Sequence, residues 1–161
     1  MIIRIVHRDA EEFLGRAVEL AAENVRSGRG GPFAALVVKD GVVVAEGVNL
    51  VTSLNDPTAH AEIVAIRAAC AALGSHQLDG CEIYASCEPC PMCFGAIYWA
   101  RPSRVYYAAS AADASEAGFD DSFIYDQLRA PDRAIPMIPL KLSAALLPFE
   151  LWRSKNDRKP Y

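Results

Sequence analysis

Four residues in this 161-residue chain could do chemistry together: His60, Glu62, Cys90 and Cys93. They stand as H-A-E at residues 60–62 and, after a gap, E-P-C-P-M-C at residues 88–93. One imidazole and two thiolates suit zinc, and three protein ligands leave a coordination position open for water. Glu62 need not be a ligand. Beside an open position its carboxylate could take a proton from water and return it to a substrate nitrogen, which is general acid–base work. The competing role for Glu62 is that of a first-turn acid opposing a helix dipole.

Cys87 bears on this reading. Cys87, Cys90 and Cys93 form C-x2-C-x2-C, and with His60 they could close a structural Cys3His site. Pro89, however, restricts Glu88 to extended backbone, which carries Cys87 away from a helix holding the other two. The open site is the favoured reading and the closed one its competitor. Cys70 and Cys81 read as core cysteines.

The elements that must position these residues follow from local pattern. Apolar residues at 13, 17, 20, 21 and 25 predict a helix over 9–27, ended by the glycines at 28, 30 and 31. Residues 33–38 and 42–48 are β-rich around Lys39-Asp40-Gly41, a hairpin pattern. A loop over 49–57 leads to an alanine-rich helix over 59–73, with His60 at its start. A strand over 81–86 precedes a helix over 91–100 that opens on proline, where the missing N–H is harmless. Cys90 and Cys93 share a face at that helix start, so the metal would sit between two helix N-termini, which favour thiolates. A strand over 104–108, short helices over 113–119 and 122–128, an edge strand over 136–140 and a helix over 144–152 complete the pattern. A hairpin followed by alternating strands and helices predicts one three-layer α/β/α domain around a mixed sheet of about five strands.

Composition narrows the function classes. Hydrophobic residues make up 52%, enough to fill the core of a single domain. No apolar run is long enough to span a bilayer, and the N-terminal residues lack a signal-peptide pattern. Five cysteines, three of them within seven residues, read as metal binding rather than a disulfide framework. A cytoplasmic protein is expected. The net charge is −4, which argues against a broad nucleic-acid surface. Arg153, Lys155, Arg158 and Lys159 against Asp157 give the last nine residues a net +3, so the rest carries −7.

N-D-P-T-A-H-A-E at 55–62, S-C-E-P-C-P-M-C at 86–93, I-Y-W-A-R at 97–101 and E-A-G-F-D-D at 116–121 together resemble the bacterial guanine deaminases. These belong to the cytidine deaminase-like superfamily of zinc-dependent deaminases, with its H-x-E…P-C-x-x-C signature. The resemblance implies hydrolytic deamination of guanine to xanthine and ammonia. Water would be activated by one zinc per subunit, bound by His60, Cys90 and Cys93, with Glu62 as proton shuttle. By position it implies that Asn49 reads the base edge, that Asp121 contacts the purine and handles the departing amine, and that Tyr161 closes the pocket. Phe33 and Trp99 would sandwich the purine. It further implies a homodimer whose C-terminal segments, residues 148–161, are exchanged between subunits.

Each of these residues also has an ordinary reading. Asn49 could cap a turn, Phe33 and Trp99 could be core aromatics, and the Asp120-Asp121 pair could be a solvated acidic turn in which either carboxylate faces the site. Three other activities share parts of the pattern: a guanosine or other aminopurine deaminase, a tRNA adenosine deaminase, and a non-enzymatic zinc module.

Overall fold

The strand over Ala34–Lys39 (β1) shows how the molecule is layered. Successive side chains of a strand point to opposite faces, and both faces of β1 are buried. Ala35 and Val37 join one apolar cluster and Leu36 and Val38 the other. The structure, a computed structural model, describes residues 3–160. Helix α1 (Ile3–Arg26) precedes β1, and β2 (Val42–Val48) follows it. Then come α2 (Val51–Leu54), α3 (Ala61–Leu73), β3 (Cys81–Cys87), α4 (Pro91–Ala100), β4 (Arg104–Ala109), α5 (Ala111–Glu116), α6 (Ser122–Arg129) and α7 (Leu147–Ser154).

The strands form one mixed sheet in the order β2-β1-β3-β4, antiparallel except for β3 with β4. On one face Ala61, Ala65 and Ala69 of α3 and Ile97 and Ala100 of α4 pack on Ala35, Val37, Ile83 and Ala85. On the other, Ala10 and Ala17 of α1 pack on Leu36, Val38 and Tyr84. This is the expected three-layer arrangement. Small residues bring α3 close: a Cβ at Gly47 of β2 would collide with the Ala61 carbonyl and the Ala65 amide. The hairpin turns on Asp40 and Gly41, both left-handed (φ 50° and 76°), the conformation a two-residue loop demands.

Two expectations need correction. Among the described residues the sheet has four strands, not about five, because residues 136–140 form none. Pro136 and Pro139 have no N–H to give a ladder, and Met137, Ile138 and Leu140 are each at least three-quarters exposed. Within the expected loop over 49–57 a single helical turn, α2, ends on left-handed Asn55. No helix among the described residues is long and apolar enough to cross a membrane.

Contacts divide the chain into two compact units, Met1–Ser122 and Phe123–Tyr161. The first contains the sheet. The second holds nearly all of α6 and the whole of α7. Many of its large apolar side chains are exposed, among them Ile135, Met137, Leu140, Leu142, Phe149 and Leu151.

Candidate metal and catalytic site

The local fold places His60 and Cys90 alike. Each is the N-cap residue of its helix, with extended backbone (ψ 155° and 169°), and neither side chain caps the helix. Both side chains are therefore available to a common point. His60 Nδ1 lies 3.5 Å from Cys90 Sγ and 3.5 Å from Cys93 Sγ. The three donor atoms fall within 4.8 Å of one another.

Hydrogen bonding sorts the protons within this cluster. The neighbouring Cys93 thiol, together with His60, draws Cys90 down to about 4 against the effect of burial. Cys93 is pushed up by the neighbouring Cys90, by burial and by Glu62. The bond to Cys90 raises His60, although desolvation opposes it. A dication seated among these atoms would displace the remaining thiol proton. Two sulfurs and one ring nitrogen at these separations fit zinc with one coordination position left over.

Glu62 is the second residue of α3 and is buried at 8% exposure. Burial foremost, and then the Cys90 thiolate, raise its carboxyl above the ordinary range. It lies in hydrogen-bonding reach of Cys93 yet outside the three-donor group. A carboxyl beside the metal ligands, buried and partly protonatable, suits proton transfer better than ligation. Cys87 is also outside the group: its Sγ donates to the Ser110 carbonyl at 3.5 Å. The closed Cys3His alternative is not formed among the described residues.

The ends of several strands bring further residues to this region. Asn49 follows β2, and its N–H donates to the Phe33 carbonyl at 3.0 Å. The next residue, Leu50, donates to the Ala59 carbonyl at 2.9 Å, one position before His60. Asn49 is buried, and its Oδ1 accepts from the Gly31 and Val51 amides, 3.3 Å each. Phe33 is half-buried and meets Phe119 edge-on, with centroids 5.0 Å apart. Of the adjacent acids, Asp120 is exposed and accepts from the Ser122 amide at 2.9 Å. Asp121 is half-buried; burial and then the Cys90 charge raise its carboxyl.

Trp99 is placed differently. It is 64% exposed and lies on α4, six residues beyond Cys93. Phe33 has Phe119 as a ring neighbour. Tyr161 lies outside the described residues.

Three contributors escaped sequence reasoning. Glu88 Oε2 accepts from the Ala111 amide at 3.0 Å, tying the segment before Cys90 to the start of α5. Phe119 supplies the ring against Phe33. Asn24, 1% exposed, donates to the carbonyls of Gly31 and Asn49. The last left a signal: position 24 continues the apolar stripe of Ala10, Ala17 and Ala21 on α1, where a polar side chain needs a reason.

Residues 7–109 match the cytidine and deoxycytidylate deaminase zinc-binding region. The guanine deaminase of Bacillus subtilis is 59% identical over 94% of this chain and 98% of its own length. Its crystal structure superposes with a TM-score of 0.92 over the same shares. The structure of a guanine deaminase from Nitrosomonas europaea is 40% identical, with a TM-score of 0.64 over 68% of this chain and 63% of its own. A tRNA-specific adenosine deaminase of Agrobacterium fabrum is 51% identical, but over 78 residues, 48% of this chain and 51% of its own. Sequence match and superposition both cover the elements that carry His60, Glu62, Cys90 and Cys93, and the chain belongs to the cytidine and deoxycytidylate deaminase family of zinc-binding proteins.

Proposed function

We propose that this chain is a guanine deaminase, hydrolysing guanine to xanthine and ammonia. One observation carries the substrate choice. The likeness to the Bacillus subtilis enzyme runs through 94% of the chain, whereas that to the tRNA deaminase stops at 48%. What distinguishes a free purine from an RNA base would lie in the part of the chain beyond that shorter likeness.

His60, Cys90 and Cys93 would hold one zinc per subunit, which supplies a Lewis acid able to make water nucleophilic near neutral pH. Glu62 takes one proton from the attacking water and delivers it to a ring nitrogen. It then takes the second from the new C2 hydroxyl and delivers it to the amine, which leaves as ammonia as the C2–N bond breaks and the C2=O bond forms. Its burial favours this shuttle, because raising the carboxyl above its ordinary range keeps it available as a proton donor once it has taken a proton up. Asp121 assists departure of the amine from C2, and its sensitivity to the Cys90 charge supports a position beside the reacting group. Asn49 reads the base edge. A site that hydrogen-bonds a substrate edge rejects bases lacking the matching groups by large factors. Phe33, packed on Phe119, gives the purine an aromatic wall.

The same reading includes a homodimer in which residues 148–161 are exchanged, so that Tyr161 closes the partner's pocket. Supporting it are the many exposed apolar side chains of the second unit, including Leu146, Leu147, Phe149 and Leu151, and the exposed Phe94 and Tyr98 of α4. Trp99 stands on that same exposed α4 surface. Free cysteines at 70, 81, 87, 90 and 93 accord with a reducing, cytoplasmic setting, and the net charge of −4 accords with a small-molecule rather than a nucleic-acid substrate.

Steady-state assays across guanine, guanosine, adenine, cytosine and a tRNA anticodon stem-loop test the assignment. Guanine should show the highest kcat/KM. Turnover of guanosine or of the stem-loop with none of guanine would move the protein to another branch of its family.

A further inference from the structure

The amide of Asn24 is spent in an unusual way. Both N–H bonds of its Nδ2 are used, one on the Gly31 carbonyl at 2.9 Å and one on the Asn49 carbonyl at 2.8 Å. Two carbonyl acceptors fix which end of the amide is nitrogen. The Oδ1 is then buried and, among the described residues, without a partner. The two carbonyls it joins belong to one small network. The Gly31 amide donates to Asn49 Oδ1 at 3.3 Å, and Val51 donates to the same oxygen. Gly30 closes the gap, since a Cβ there would collide with the Asn49 carbonyl and stand 3.1 Å from Asn24 Nδ2. The Asn49 main chain, the loop before β1 and the Asn49 side chain are thus tied to α1 through one buried amide.

A consequence follows for Asn49. Its Oδ1 is occupied by two backbone amides, and its Nδ2 makes no hydrogen bond among the described residues. That leaves Nδ2 as the end of the amide able to donate, suited to a ring nitrogen or carbonyl acceptor of a base edge. We infer that Asn24 is a positioning residue for substrate recognition: through Gly31 and the Asn49 carbonyl it holds the Asn49 amide with its N–H2 presented to an acceptor on the base. This rests on the reading of Asn49 as the residue that contacts the purine.

The test is a double-mutant cycle between Asn24→Asp and Asn49→Ala, with kcat, KM for guanine and bound zinc measured for each protein. Aspartate keeps the shape of asparagine but turns a second acceptor toward two carbonyls. Asn24→Asp should raise KM about tenfold, change kcat less, and leave zinc content unaltered, as expected when ground-state binding contacts are lost. In the Asn49→Ala background the same substitution should add little. If Asn24→Asp does not fold, Asn24→Ser, which keeps one donor, should raise KM by a smaller factor. An unchanged KM in a folded Asn24 variant, or effects that multiply fully with those of Asn49→Ala, would overturn the inference. Asn49→Ala with wild-type KM would remove the base-reading role of Asn49 itself, and the inference with it.

Discussion

The part of the site that would hold zinc stands on helix starts, and the part that would read the base stands on segments between regular elements. His60 and Cys90 are N-cap residues fixed by the first turns of α3 and α4, with Cys93 buried one turn on. Asn49, Phe33 and Asp121 lie outside regular elements and are held by individual hydrogen bonds and one ring contact. A helix start holds a side chain through a repeating backbone pattern and adds a favourable dipole for anions. A loop holds it only as well as its particular partners do. Chemistry shared across a family belongs on the first kind of support, and substrate choice, which varies between relatives, on the second.

This contrast can be broken in graded ways. The largest effect is expected on the base-reading side. Deleting residues 153–161 should abolish guanine turnover while leaving zinc at its wild-type content; a fully active truncation would remove the tail from the site. Next, Glu62→Gln should lower kcat by roughly 10²–10⁴-fold with zinc retained and KM little changed, as for loss of a general acid–base group. Metal analysis beside steady-state kinetics checks both. Asp121→Asn should lower kcat by about tenfold to a hundredfold, whereas Asp120→Asn, at an exposed turn, should leave turnover near wild type. Reversal of that order would exchange the two carboxylates. The smallest effect is expected at Cys87. Its thiol is committed to the Ser110 carbonyl, so Cys87→Ala should keep zinc near one per subunit and kcat within about twofold, a change typical of substitutions outside the reacting groups. Loss of metal there would restore the closed Cys3His reading.

The same contrast explains what was legible in the sequence. His60, Cys90 and Cys93 could be read because zinc demands those residue types and helix starts are marked by local signals such as Pro91. The hairpin could be read because Asp-Gly is among the few pairs that accept its turn. Asn24 could not be assigned, because its partners lie seven and twenty-five residues away and are main-chain atoms common to every residue. Phe119 was hidden likewise: its ring contact spans 86 positions, from Phe33. The edge strand expected over 136–140 does not form, because Pro136 and Pro139 cannot donate the ladder bonds it would need. For Asn24 and Phe119 the missing information was tertiary; for the strand it was local, in the prolines themselves.

The central claim is that this cluster deaminates guanine. Ammonia and xanthine production from guanine should be measured on purified protein as isolated, after chelation and after zinc is returned. Equimolar ammonia and xanthine, lost on chelation and restored by zinc, is the expected result. Zinc-loaded protein that releases no ammonia from guanine, or release that continues unchanged once the metal is gone, would contradict it.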